Sequence, residues 1–271
     1  MPELPEVETV KRGLEPVLQG RILTTLNLNR PNLRYPFPDT LQNDLEGQLI
    51  NRLSRRGKYI CIDFDNGKTL IVHLGMSGSF AINPSAHKPH DHVIFETNDG
   101  DVIHYNDPRR FGFMLLSNTT DIHTHSAFAK MGVEPLSNDL NAAYVFEKLK
   151  NKQTPIKTAL LDQSIIAGIG NIYACEALYM ASISPLRPSS SLLMTEIENL
   201  VSAVRDVLIS AIESGGSTLR DHRQADGKMG YFQHRFKVYD REGTNCPETN
   251  DKIIRIAQSG RSTFYCPAKQ V

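Results

Sequence analysis

The amino-terminal run Met1-Pro2-Glu3-Leu4-Pro5-Glu6 combines residue types that can set an amine against a carbonyl-like carbon. Met1 is expected to be removed before a residue as small as Pro2, which leaves a secondary α-amine at the new terminus. An α-amine titrates about one unit above neutrality, against about 10.4 for lysine, so an appreciable share is unprotonated without special tuning. When a secondary amine adds to an aldehyde-like carbon, the iminium has no N–H proton to lose, and the persistent cation is an electron sink. Glu3 stands beside that nitrogen as a candidate acid or base, and Pro5 suits the first turn of the helix that follows. Acidic residues are also favoured at helix starts by the macrodipole alone, so the string by itself admits a purely structural reading.

Further along, Arg55-Arg56-Gly57-Lys58 puts three cations in four residues before a strand, as either a solvated edge or an anion contact. In His73-Leu74-Gly75-Met76-Ser77-Gly78 a flexible Met stands between glycines, where gap-filling in a core is its ordinary use. Asn106-Asp107-Pro108-Arg109-Arg110-Phe111-Gly112 pairs two guanidinium groups with an aromatic ring on a tight turn. A protein that extrudes a base from duplex DNA needs an apolar wedge and a donor for the orphaned partner, and Met, Phe and Arg supply these. His90-Asp91-His92 holds metal-ligand types with His90 and His92 on one strand face, but no further ligand cluster is evident, so no metal is expected there. Gly168-Ile169-Gly170-Asn171 joins two helices and offers free N–H groups to an anion, although any tight interhelical turn can use the same pattern.

These residues need a scaffold. Helical periodicity predicts a first helix over Pro5–Gln19 with Val7, Val10, Leu14, Val17 and Leu18 on one face. From Lys58 to Leu116 the chain turns to short apolar stretches separated by Asn66-Gly67 and Asp99-Gly100, which predicts hairpins in a sandwich or barrel. Helices follow at Leu140–Lys150, Pro155–Gln163, Asn171–Ala181 and about Ser191–Ser214. The last carries a core stripe of Leu193, Ile197, Leu200, Val204, Leu208 and Ala211. A polar, glycine-punctuated loop from Ser217 to Tyr231 reads as a lid, and a hairpin-like tail begins at Phe236. The fold class is α+β, with a β-rich domain over 1–131, a helical domain over 132–235 and a terminal hairpin over 236–271. A cleft between domains is the default place for a large ligand.

With 271 residues there is length for two domains with adequate cores. Four Cys, no apolar run of transmembrane length and no signal peptide point to a cytoplasmic protein with no membrane partner, expected to be a monomer. Net charge is zero, which favours no nucleic-acid role, but Gly216–Val271 holds 10 Lys/Arg against 6 Asp/Glu, leaving 20 against 24 before it.

The string MPELPEVETVKRGLEP resembles the start of the formamidopyrimidine-DNA glycosylases (Fpg, or MutM), bacterial enzymes that excise oxidised purines, and the resemblance recurs along nearly the whole chain. It implies an N-terminal β-sandwich with a leading helix, a helix-two-turn-helix domain and a zinc-finger hairpin. It also implies that the partner is double-stranded DNA with oxidised bases or abasic sites. Glycosylase and β,δ-eliminating lyase chemistry would rest on Pro2, Glu3, Lys58 and Arg261, with no cofactor needed for the reaction. DNA or substrate contact is implied for Glu6, Met76, His90, Arg109, Phe111, Lys152, Lys157 and Asn171: Met76 and Phe111 as the wedge, Arg109 on the estranged cytosine, His90, Lys157 and Asn171 on phosphates. The loop at Ser217–Tyr231 resembles the one that caps flipped 8-oxoguanine, with Met229 where proline is usual.

The tail departs from the family's CxxC, sixteen residues, CxxC. Cys246 and Cys266 stand in register, but Thr249 and Lys269 occupy the other two ligand positions. Two thiolates and a cation make a poor tetrahedral site, so structural zinc is expected to be absent and Ile254, Ile256, Phe264 and Tyr265 to pack the hairpin. Cys61 and Cys175 read as core. The rivals are the same chemistry on oxidised pyrimidines, as in endonuclease VIII relatives, and a damaged-DNA binder without catalysis.

Overall fold

The computed structural model describes residues 1–217 and 230–271; most of the expected capping loop, Met229 included, lies outside the described residues. The chain forms two compact units, Met1–Ala129 with Ser214–Tyr231 and Lys130–Glu213 with Phe232–Val271.

The first unit starts with α1 (Leu4–Leu18), whose Val7, Val10, Leu14 and Leu18 are buried at helical spacing. Then come β1 (Leu23–Leu28), the short α2 (Leu41–Leu45), β2 (Ile50–Arg56), β3 (Tyr59–Phe64), β4 (Lys68–His73), β5 (Ser79–Ile82), β6 (Asp91–Thr97), β7 (Val102–Asn106) and β8 (Phe113–Asn118). They form two antiparallel sheets, β1-β6-β7-β5 and β2-β3-β4-β8. Asn66-Gly67 and Asp99-Gly100 close the β3–β4 and β6–β7 hairpins, with Gly67 and Gly100 at φ 77° and 87°, values open to glycine at little cost. One core gathers Leu26, Phe95 and Ile103 from the first sheet, Ile60, Ile62 and Leu70 from the second, and the stripe of α1. Each such side chain contributes about 1.5–3 kcal/mol on burial, so the sandwich is a stiff base for its loops. Strands β1, β2 and β5 are not evident in the sequence, because their burial patterns are interrupted by exposed or half-buried positions.

The second unit holds α3 (Ala142–Leu149), α4 (Ile156–Leu160), α5 (Asn171–Met180), α6 (Met194–Glu213) and the hairpin β9 (Ile254–Gln258) and β10 (Arg261–Tyr265). Ile197, Leu200, Val204, Leu208 and Ala211 of α6 are buried as expected, but Leu193 is 65% exposed. The helix begins after it, and its backbone N–H donates to Glu196 Oε2 at 2.8 Å, an N-terminal reach-back that holds Leu193 outside the core. Helix α5 is buried on nearly every side, and its Glu176 carboxylate accepts the backbone N–H groups of Lys237, Val238 and Tyr239 at 2.8–3.0 Å.

These bonds clamp the start of the tail to α5, and the tail falls in the helical unit, while Ser214–Tyr231 falls in the sandwich unit. Packing of the tail differs from expectation. Ile253, Phe264, Cys246 and Cys266 join Cys175, Tyr179 and Val238 in its core, and Tyr265 is buried, but Ile254 and Ile256 on the edge of the two-stranded hairpin are only half-buried. Among the described residues no helix is long and apolar enough to cross a membrane.

Candidate active site

Pro2 and Glu3 are buried immediately before α1, while Met1 is 49% exposed. Glu3 occupies the N-cap with extended backbone (φ −101°, ψ −174°), and its N–H donates to Glu6 Oε2 at 2.9 Å. The other oxygen of Glu6 accepts both the N–H and the hydroxyl of Ser217, at 2.8 and 2.9 Å. Glu6, 2% exposed, thus fixes the terminus and the segment that leads into residues 218–229 to one carboxylate. A side chain at Gly216 (φ 76°) would press on Glu6 at 3.3 Å. Sequence reasoning did not find Ser217 as a partner of Glu6, since the two are 211 positions apart.

Lys58 sits in the tight turn between β2 and β3, 7% exposed, after Gly57 at φ 56°. Its neighbour Arg55 pairs with Glu8 of α1 (Nε–Oε2 3.0 Å) and also donates to the Gly57 carbonyl at 3.0 Å, which ties the turn to the first helix. Burial raises the Glu8 carboxyl, but Lys11, Arg12 and Arg55 outweigh it and hold Glu8 below its usual range. Within the cation run, Arg55 is thus held by Glu8 and the Gly57 carbonyl, and Lys58 is buried on the same turn. Burial, with help from the Lys58 and Arg34 cations, brings His73 down to about 4, so its neutral ring accepts the Gly75 N–H at Nδ1 (3.0 Å).

Met76 and Phe111 are exposed at 41% and 43%, on two loops that share a wall. An added Cβ at Gly75 would lie 2.3 Å from the Phe111–Gly112 backbone, and one at Gly78 or Gly112 would strike the Tyr105 hydroxyl, so the glycines are needed for the loops to meet. Asp107 binds them together: it is fully buried and accepts Ser77 Oγ at 2.5 Å, Gly112 N–H at 2.8 Å and Tyr105 OH at 3.5 Å. The Arg109 N–H reaches Ser77 Oγ at 3.2 Å and its guanidinium lies over the Phe111 ring, 4.9 Å from the centroid. Two large apolar side chains and a cation thus project from adjoining loops. Asp107 stands in the same sequence motif, but sequence reasoning did not find its role, since its partner Ser77 is 30 positions away.

His90 is exposed with φ 75°, a conformation that costs a non-glycine residue free energy and clusters at functional positions. Its carbonyl accepts the Asp107 N–H at 3.1 Å, and its ring meets His92 edge-on at 5.9 Å.

In the second unit Lys157 is 1% exposed; its Nζ donates to the Ser262 carbonyl at 3.1 Å and Thr263 Oγ1 at 2.6 Å. Asn171 Nδ2 donates to the same Ser262 carbonyl at 2.8 Å, while its buried Oδ1 has no hydrogen-bond partner among the described residues. Lys157, Asn171 and the exposed Arg261 are thereby brought to one end of the hairpin, whose turn at Ser259-Gly260 has φ 50° and 73°. Lys152 stands apart from them, 40% exposed and 3.9 Å from Asp162.

At the tail's ligand positions, Thr249 Oγ1 lies 3.4 Å from Cys266 Sγ and Tyr179 OH 3.5 Å from Cys246 Sγ. Lys269 pairs with Glu248 and rests its ammonium 4.5 Å from the Tyr179 ring centroid. Burial raises the Cys246 thiol, but hydrogen bonds with Cys266, Thr249 and Tyr179 prevail and bring it to about 6. A donor set of two sulfurs, a hydroxyl and an ammonium does not fit structural zinc.

A family model described as "Formamidopyrimidine-DNA glycosylase N-terminal domain" matches residues 1–114, and one described as "Formamidopyrimidine-DNA glycosylase H2TH domain" matches residues 131–223. This chain belongs to the formamidopyrimidine-DNA glycosylase family. The Formamidopyrimidine-DNA glycosylase of Dinoroseobacter shibae is 52% identical over the full length of both chains. The crystal structure of MutM (Fpg) from Thermus thermophilus is similar at TM-score 0.89 and 39% identity, covering 99% of this chain and 98% of that one. The Lactococcus lactis Fpg in complex with DNA containing an abasic site matches at TM-score 0.92 and 33% identity over 99% of each chain. Sandwich, helical unit and terminal hairpin are therefore the formamidopyrimidine-DNA glycosylase fold, and the chain is a DNA glycosylase of a repair family.

Proposed function

We propose that this protein binds double-stranded DNA and excises oxidised purines, 8-oxoguanine and formamidopyrimidines above all, then cleaves the strand at the abasic site it makes. The observation that carries the reading is the fixed terminus: Pro2 and Glu3 held at a helix start by the carboxylate of Glu6. Removal of Met1 converts a tertiary amide nitrogen into a secondary amine, and the exposed Met1 side chain contributes little packing.

The Pro2 nitrogen attacks C1′ of the damaged nucleotide, the glycosidic bond breaks with its electron pair leaving on the base, and Glu3 protonates the opening sugar. The resulting iminium acidifies C2′; loss of that proton expels the 3′ phosphate, and a second elimination expels the 5′ phosphate. Lys58 serves proton transfer in the first elimination and Arg261 in the second. Met76 and Phe111 fill the space left by the extruded base, and Arg109 faces its former partner. His90, Lys152 and Asn171 contact phosphates. Lys157, buried as it is, supports this by holding the hairpin that presents Arg261. We also read the tail as zinc-free, with the Lys269–Glu248 pair and the apolar cluster in place of the metal.

Borohydride reduction during reaction with an 8-oxoguanine duplex is expected to trap a covalent protein–DNA adduct, lost in Pro2→Gly combined with Glu3→Gln. No adduct on any lesion duplex, or an adduct that survives those substitutions, rejects the mechanism. Faster turnover of a thymine glycol duplex than of 8-oxoguanine moves the substrate to oxidised pyrimidines; tight lesion binding without nicking leaves only a binder. Zinc bound through sulfur rejects the zinc-free tail.

A further inference from the structure

A cluster outside this machinery lies on the sheet that contains β6 and β7. We propose that His87, Asp91 and His104 form a binding site for a divalent first-row transition ion of the zinc, nickel or cobalt type. The three side chains offer ligand atoms that all lie within 4.8 Å of one another. Asp91 and His104 come from adjacent antiparallel strands, and Asp91 Oδ2 meets His104 Nδ1 at 2.8 Å with both side chains almost wholly buried. His87 comes from the loop before β6; it is exposed, and its ring stacks on His104 with centroids 4.7 Å apart.

Ligands of a tetrahedral ion with bonds of about 2.0–2.1 Å stand roughly 3.3 Å apart. The Asp91–His104 contact is already near that spacing, held by a shared proton that an ion would replace, and His87 is the one ligand that must close in. Its exposure makes that movement cheap. Asp91 is oriented from behind: Asn106 Nδ2 donates to its Oδ1 and the Lys88 N–H to its Oδ2, both at 2.7 Å. Bonds of this kind fix a ligating carboxylate and add affinity. A cavity of about 370 Å³ lined by Asn83, Ser85, His87 and His104 provides entry and room for the water that completes the coordination. Two imidazoles and one carboxylate favour zinc-like ions over magnesium or calcium. A purely structural Asp91–His104 pair gives no role to His87, which supplies the third donor.

Full-length protein, stripped with chelator, is titrated with Zn²⁺ or Ni²⁺ alone by calorimetry, and with Co²⁺ by absorption. The expectation is one ion per chain, a visible Co²⁺ spectrum free of sulfur charge-transfer bands, and binding weakened about tenfold or more by His87→Gln. His87 is exposed, so this variant is expected to keep the wild-type melting temperature in chelator. Absence of binding, affinity unchanged by His87→Gln, or sulfur charge-transfer bands that vanish in Cys246→Ser overturns the site. None of these readouts depends on turnover of DNA.

Discussion

In the sandwich unit the loops bearing Met76 and Arg109 are gathered on a buried anion, Asp107, whereas in the helical unit the hairpin bearing Arg261 is gathered on a buried cation, Lys157. The two hubs differ in redundancy. Asp107 accepts from Ser77, Tyr105 and Gly112 on separate elements, and removing it leaves the buried Gly112 N–H and Tyr105 hydroxyl without this acceptor. The Ser262 carbonyl beneath Lys157 keeps a second donor in Asn171. Backbone acceptors also tolerate partial satisfaction better than buried N–H groups do. The anion is therefore the harder hub to lose.

The largest effect expected is that of Asp107→Ala, a loss of about 3 kcal/mol in denaturant unfolding. Lys157→Met is expected to cost less, about 1–2 kcal/mol; an equal or greater loss there breaks the comparison. Combining it with Asn171→Ala should exceed the sum of the single losses by about 0.5 kcal/mol or more, because the two share one acceptor. A third test uses pH. His73 titrates near 4 when folded against 6.5 when free, so the unfolded chain binds the extra proton between those values. Stability should fall as pH drops from 6.5 towards 4, and His73→Gln should flatten that slope. The smallest stability effects belong to Met76→Ala and Phe111→Ala, within about 0.5 kcal/mol. On the proposed wedge role, these same variants should slow lesion cleavage by about tenfold or more while leaving the melting curve in place.

Much of the architecture was legible because the physics was local. The α1 stripe, the Asn66-Gly67 and Asp99-Gly100 hairpins and the α6 stripe all follow from short-range periodicity and turn chemistry. Leu193 was misjudged because helical spacing carries no signal for the residue at which a helix begins. Of the candidate site, Met76, Arg109 and Phe111 were read as a set and are brought to adjoining loops. What held them was not legible: Asp107 acts through partners up to 30 positions away. Likewise His87, Asp91 and His104 show no ligand spacing, because strand pairing rather than sequence proximity assembles them. The burial of Lys157 was also invisible, since it depends on a hairpin 105 residues downstream.

The bond between Glu6 and Ser217 has a consequence for biosynthesis. A nascent chain leaving the ribosome cannot complete its amino-terminal fold early, because the partner of residue 6 emerges only after the whole of the helical unit's first stretch, Lys130–Glu213, has been made. The amino-terminal segment therefore stays unfinished through most of translation, and Glu6 meets its last partner only late in the synthesis of the chain.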